Sequence, residues 1–149
     1  MESPDTILDC GIITDTGKSK DTSPFDRIDR ITDELIVVVK EWKLKGVDAA
    51  VLEITSGHQA GRMRGRMAGL ATLGGAIASV RSALKALPIT VHEVKENVWT
   101  RRRPKARRAQ EIQLHYPKVD WSKDTGMDMA DAVGLGKYWL TVLELKGAA

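Results

Sequence analysis

The sequence of 149 residues predicts a single α/β domain (residues 1–149) with a mostly parallel sheet flanked by helices. Segments of strand length alternate with segments that repeat apolar residues at helical spacing, in the order strand, helix, strand, helix, strand, helix, helix. Residues 47–54 are also apolar on both faces, which is typical of a strand buried in a parallel sheet. Right-handed crossovers are expected to connect the parallel strands.

The N-terminal third predicts one strand followed by an amphipathic helix. Residues 7–14 are predicted to form the strand, and a polar loop follows it. Ser23 and Pro24 mark a helix start, because serine is favoured at the N-cap and proline at the first helical position. Apolar residues recur at helical spacing over residues 28–42, and Gly46 is expected to end this helix before the second strand.

The rest of the chain predicts one further strand and three helices. A long helix is expected from about Gln59 to Ala86, with a face of small residues that allows another backbone to approach closely. Pro88 breaks this helix before the third strand, residues 89–94. A basic loop over residues 98–108 then leads into two helices, predicted over about residues 104–115 and 126–143.

Charge is strongly segregated along a chain whose net charge is only +3. Residues 1–34 hold nine acidic and four basic side chains. Residues 54–92 hold five basic side chains and no acidic ones, and residues 93–118 hold eight basic and three acidic side chains. A basic central block predicts nucleic-acid binding, with a solvated basic surface as the alternative. The side chains expected to contact DNA phosphates are Arg62, Arg64, Arg66, Lys95, Arg101, Arg102, Arg103, Lys105, Arg107 and Arg108.

Several features predict a soluble cytoplasmic protein. Cys10 is the one cysteine of the chain, so no internal disulfide forms, and it is expected to be a small core residue. The acidic, polar N-terminus does not resemble a signal peptide. The uncharged stretch over residues 67–80 is too short to span a bilayer, so no membrane association is expected.

Three acidic residues predict a metal site. Glu53 lies at the end of the apolar run of the second strand, near the carboxyl edge of the sheet where α/β proteins place their sites. Asp128 and Asp131 lie three residues apart on a predicted helix and therefore share one face. Carboxylate oxygens are the ligands that Mg²⁺ prefers, and pairs of such ions catalyse in-line phosphodiester cleavage.

Each candidate also has a structural alternative. Glu53 would suit a surface salt bridge, and Thr125 to Asp128 is similar to a capping box that places Asp128 at the third helical position. That alternative does not explain Asp131, and two like charges on one helical turn repel each other unless a cation or basic partner lies between them. Trp99, beside the basic cluster, would either stack on a base or pack internally.

Six segments between Gly11 and Leu140 together resemble the RuvC-type Holliday-junction resolvases of the RNase H-like superfamily. Residues 11–14 are similar to that family's third strand, 51–53 to its fourth strand with the second catalytic acid, and 61–80 to the long helix that follows. Three motifs complete the match: residues 94–98 resemble Val-Lys-x-x-Val, residues 108–110 resemble Lys-Ala-Gln, and residues 128–133 resemble Asp-x-x-Asp-Ala-Leu.

The resemblance implies an RNase H-like fold and a homodimeric endonuclease, of bacterial or phage origin, that resolves four-way DNA junctions. Glu53, Asp128 and Asp131 would hold Mg²⁺, with Mn²⁺ as a substitute, to activate water and stabilise the leaving 3′ oxygen. Arg108 matches the family's basic residue near the scissile phosphate. A catalytically inactive DNA-binding module, or a nuclease on other branched or single-stranded DNA, is the alternative.

The chain departs from the family pattern in two places. The family opens with a strand carrying Asp-Pro-Gly and then a second strand, and neither precedes Gly11, so the sheet is predicted to be incomplete or to begin upstream. Asp9 is similar to that missing Asp, and a strand at residues 7–14 beside 47–54 would bring it to Glu53 as a further catalytic metal ligand. Ser56 replaces an aromatic wedge, which leaves the preference for four-way junctions open.

Overall fold

The computed structural model describes residues 6–15, 23–54 and 67–147, and it confirms a mixed α/β protein. Two compact units make up the chain: the sheet unit (residues 13–96) and the helical unit (residues 1–12 and 97–149). The single-domain organisation and the RNase H-like arrangement stay predictions. The elements are α1 (Pro24–Leu44), β1 (Ala49–Ile54), α2 (Met67–Ala86), β2 (Thr90–Lys95), α3 (Glu96–Thr100), α4 (Lys105–His115) and α5 (Asp128–Gly147).

Strands β1 and β2 form the sheet of the described residues, and their parallel pairing confirms that part of the prediction. Glu53 lies opposite Val94, and the last residue of β1 lies opposite Lys95. The core of the sheet unit is a cluster of Val39 from α1, Leu84 from α2 and Ile89, which precedes β2. Partly buried apolar residues surround this cluster: Leu35, Trp42, Ala50, Val80, Leu87 and Val91.

Helix α1 begins as the sequence predicts. The Ser23 hydroxyl accepts a hydrogen bond from the Phe25 amide at 3.2 Å, and Pro24 occupies the first helical position. Arg30 donates two hydrogen bonds to the Asp15 carboxylate, at 2.8 and 2.9 Å, and so ties Asp15 to α1. Residues 59–66, the first part of the long helix predicted over residues 59–86, lie outside the described part of the chain.

Among the described helices, none is long and apolar enough to cross a membrane.

The strand predicted over residues 7–14 is wrong. Residues 6–15 form neither helix nor strand, and Leu8 and Ile12 remain 73% and 42% exposed. Within the described residues β1 pairs with β2 alone, so no strand from this segment lies beside it. A strand needs a neighbour for its backbone hydrogen bonds, and apolar composition does not supply one. Asp9 as a metal ligand therefore stays a prediction without the strand that was to place it.

Helix α3 replaces the start of the basic loop predicted over residues 98–108. The loop prediction is wrong for residues 98–100, because Trp99 and Thr100 lie on a short helix and are only 3% and 1% exposed. Such a short helix is not stable by itself, so tertiary burial of these two side chains determines the local structure. The turn that follows positions the arginines of residues 101–103.

Gly134 on α5 lies so close to Trp99 that any side chain would disturb the packing. A Cβ at Gly134 would meet the Trp99 ring at 3.2 Å and an Ile112 carbon at 3.5 Å. We expect Gly134→Ala to lower the free energy of unfolding by about 1 kcal/mol, because overpacking outweighs the gain in helix propensity. Urea unfolding measures this change.

Gly136 is the matched control on the same helix, since a Cβ there meets none of the described atoms within 4 Å. Gly136→Ala should raise the free energy of unfolding by up to about 1 kcal/mol through helix propensity alone. Equal stabilisation by both substitutions would contradict the close packing of α5 against Trp99.

Candidate nucleic-acid and metal site

Helix α4 meets the first turn of α5 through an ion pair between Arg108 and Asp131. Arg108 Nε lies 3.0 Å from Asp131 Oδ1, and Arg108 Nη2 lies 2.8 Å from Oδ2, so the guanidinium holds both carboxylate oxygens. The two side chains are only 10% and 19% exposed. This two-point contact fixes the start of α4 against the start of α5.

Lys105 joins the two aspartates of α5, which we call the acid pair (Asp128 and Asp131). Its ammonium lies 2.5 Å from Asp128 Oδ1 and 3.9 Å from Asp131 Oδ2. The Asp128 side chain is 73% exposed, so its oxygens remain accessible to solvent. Lys105 and Arg108 therefore supply the basic partners that two like charges on one helical turn require.

Two further contacts hold the Arg108 guanidinium, in addition to its ion pair with Asp131. Its guanidinium carbon lies 5.1 Å from the centroid of the Trp99 ring, and its Nη1 donates a hydrogen bond to the Arg103 carbonyl. Trp99 is 3% exposed, so the packing alternative for this residue is confirmed and stacking on a base is wrong. The role of Arg108 at a DNA phosphate stays a prediction.

Asp124 caps α5 and was not identified from the sequence. Its Oδ1 accepts a hydrogen bond from the Met129 amide and its Oδ2 accepts one from the Ala130 amide, each at 2.9 Å, and the residue is 6% exposed. The capping-box alternative at Thr125 is wrong, because α5 begins at Asp128 itself. The available signal was Asp followed by Thr and Gly, a composition typical of turns.

We expect Asp124→Ala to lower the free energy of unfolding by about 2 kcal/mol. The substitution removes the carboxylate from two buried amides and leaves them without their hydrogen-bond acceptor. Asp120→Ala is the control, because Asp120 accepts its hydrogen bonds from nearby Ser122 at an exposed turn. Its expected effect is below about 0.5 kcal/mol. Similar losses in urea unfolding would contradict the cap.

The basic turn (Arg101, Arg102 and Arg103) connects α3 to α4. Arg101 and Arg102 have φ values of 50° and 60°, a left-handed conformation that is uncommon outside glycine. Thr100 holds the turn, since its carbonyl accepts from the Arg103 amide at 3.0 Å and its hydroxyl from the Arg102 amide at 3.3 Å. The turn therefore presents Arg101 and Arg102 as exposed side chains.

The other predicted DNA-binding residues differ in their surroundings. Arg103 and Arg107 both pair with Glu111, whereas no ion pair with a described residue engages Arg101 or Arg102. Lys95 is exposed at the end of β2 in the sheet unit. Ser56 and the three remaining arginines lie outside the described residues. These arginines are Arg62, Arg64 and Arg66.

Glu53 lies in the sheet unit, one residue before the end of β1, as the sequence predicts. It is half-buried and shares a face of the sheet with Val94, its register partner. Its meeting with the acid pair stays a prediction. Within residues 6–15, 23–54 and 67–147, no group of three His, Cys, Asp or Glu side chains is arranged to hold a metal ion.

Cys10 is not a candidate nucleophile. Burial raises the pKa of its thiol, and the charges of Asp9 and Asp124 raise it further. The reactive thiolate is therefore scarce at neutral pH. Cys10 is half-buried, so it is less enclosed than the core position predicted for it.

No family model, curated protein or solved structure matches the chain.

Proposed function

We propose that this chain is a Mg²⁺-dependent endonuclease that cuts branched DNA, with the four-way junction as its main substrate. The observation that supports this most is the contact of Arg108 with Asp131. These residues belong to the two motifs that resemble the catalytic end of the RuvC-type resolvases, and they lie 23 positions apart in the chain. Carboxylates beside cations are the groups that a phosphodiester-cleaving site requires.

The carboxylates of the acid pair suit Mg²⁺ in their chemistry. Asp128 offers exposed oxygens, and Asp131 offers a second carboxylate on the same turn. The family resemblance implies Glu53 as a further ligand. Mg²⁺ held by these carboxylates would supply an activated water and would offset the charge on the leaving oxygen. Lys105 would move from Asp128 towards a DNA phosphate when the carboxylate engages the metal.

The basic turn would hold the DNA backbone. Arg101 and Arg102 are exposed and without ion pairs to the described residues, so phosphate contact costs them no existing salt bridge. Their contribution is to affinity and position, because phosphates carry no sequence information. Two symmetric cuts in one junction would require two active sites, and we propose that a homodimer supplies them.

A second candidate, a DNA-binding module without nuclease activity, is favoured by one specific observation. Arg108 already engages both oxygens of Asp131, and Lys105 lies between the two acids. In that case basic side chains neutralise the acid pair in place of a metal. The basic turn would then bind branched DNA without cutting it.

Incubation with an end-labelled four-way junction, with Mg²⁺ or with EDTA, tests the proposal. Mg²⁺-dependent symmetric cuts on a denaturing gel support the nuclease, and tight binding without cuts favours the second candidate. A panel of three-way, splayed-arm and single-stranded substrates identifies the preferred branch. Failure to bind or cut any of these DNAs would contradict both functions.

A further inference from the structure

A pocket of about 330 Å³ opens in the helical unit between the basic turn, α4 and α5. This volume falls at the lower end of the range for small-molecule sites, which is about 300–1,000 Å³. Gly134 and Trp99 contribute to its wall, and the close approach of that glycine to the indole keeps the wall compact. Arg108 also lines it, so the pocket adjoins the acid pair.

Positive charge in this pocket is incompletely neutralised. Four basic side chains line it, and Glu111 is the acidic residue among the lining. Glu111 pairs with Arg103, whereas Arg101 has no ion pair among the described residues. Lys137 directs its ammonium at His115 Nε2, 2.8 Å away, and at the Tyr116 ring, and neither of these partners is a carboxylate. The remaining charge favours an anionic ligand.

Flat and apolar groups line the same pocket. Tyr138 and Ile112 belong to the lining, and the Thr141 hydroxyl lies there as well. An aromatic ring beside arginine and lysine suits a ligand that joins a planar base to a phosphate. A bare phosphate would use the cations without the aromatic wall. The combination therefore favours a nucleotide.

We propose that this pocket takes one unpaired nucleotide of the branched DNA, with its phosphate on Arg101 and Lys137 and its base against Tyr138. The inference rests on the proposed function, and it adds a selection for strands that leave a nucleotide unpaired beside the acid pair. A free nucleoside monophosphate shares this chemistry and is the other source of such a ligand.

Fluorescence anisotropy in EDTA tests the pocket without DNA cleavage. The probes are a fully paired four-way junction and the same junction with one unpaired thymidine at the branch. The wild-type chain should bind the second about tenfold more tightly, which is within the range for one stacked base. Tyr138→Ala should abolish the difference, whereas Tyr138→Phe, which keeps the ring, should retain it.

Trp139→Ala is the matched control, because Trp139 is the next residue on α5 and does not line the pocket. It should retain the preference, and circular dichroism checks the folding of each variant. Free dTMP should compete for the junction with the unpaired thymidine more than for the paired one. Competition equal for both probes would mean that the pocket serves free nucleotides only, and would overturn the inference.

The failures of the two proposals are distinguishable. Equal affinity of the wild-type chain for both junctions, or a preference that survives Tyr138→Ala, overturns the pocket and leaves the nuclease proposal intact. Absence of binding to either junction overturns both. Cleavage of the paired junction in Mg²⁺, measured in parallel, reports on the nuclease alone.

Discussion

Glu53→Gln should lower the rate of junction cleavage by about 1,000-fold or more while leaving DNA affinity in EDTA within about twofold. Glutamine keeps the size of the side chain but loses the negative charge that would hold Mg²⁺. Metal ions contribute several kcal/mol of transition-state stabilisation, and about 4 kcal/mol corresponds to a factor of 1,000. Single-turnover cleavage of a labelled junction in saturating Mg²⁺ measures the effect.

Glu93→Gln is the matched control for this experiment. Glu93 lies on β2 opposite Leu52, so strand alternation places it on the other face of the sheet from Glu53. It pairs with Arg81 at the surface, and its loss should change the cleavage rate by less than about twofold. Cleavage by Glu53→Gln at the wild-type rate would exclude Glu53 from the catalytic site.

The local elements were largely predictable because their signals lie within a few residues. Helix α1 has its cap and its first-turn proline in sequence, and the observed strands fall within two residues of the predicted ones. The segment over residues 7–14 has apolar residues, but no strand in the described part of the chain lies beside it, and a local pattern does not reveal this. Helix α3 is absent from the sequence prediction because tertiary burial of Trp99 and Thr100, and no local pattern, decides its conformation.

The sequence predicts the acidic residues of the candidate site, Asp128 and Asp131, but it does not predict the basic side chains that contact them. Spacing alone places Asp128 and Asp131 on one helical face, as the structure confirms. The contact of Arg108 with Asp131 depends on how α4 packs against α5, and the sequence carries no local signal for it. The sequence also carries no local signal for the contacts of Asp124. Its role as a cap depends on the turn before α5, which brings its carboxylate to the Met129 and Ala130 amides.

Arg108→Ala should lower the free energy of unfolding by about 3 kcal/mol. It removes both hydrogen bonds to Asp131, the contact with the Trp99 ring and the bond to the Arg103 carbonyl, and leaves Asp131 81% buried without its main partner. Breaking one side of a buried ion pair costs about 3–5 kcal/mol, and the residual exposure here argues for the lower figure. Urea unfolding in EDTA measures it.

Arg107→Ala is the neighbouring control, because Arg107 and its partner Glu111 are 69% and 43% exposed. Exposed pairs contribute little, so the expected loss is below about 0.5 kcal/mol. Replacing both partners, as Arg108→Met with Asp131→Leu, should recover much of the stability, since no uncompensated charge remains. Equal losses for Arg107→Ala and Arg108→Ala would contradict the buried ion pair.

The Arg108→Ala variant also separates the two proposed functions. If Asp131 binds Mg²⁺, the metal competes with Arg108, so removing the arginine should tighten metal binding. Millimolar Mg²⁺ should then raise the free energy of unfolding of Arg108→Ala more than that of the wild-type chain, because a ligand that binds the folded state more tightly stabilises it more at the same concentration. An equal response, or none, would exclude Asp131 as a ligand and favour the DNA-binding module.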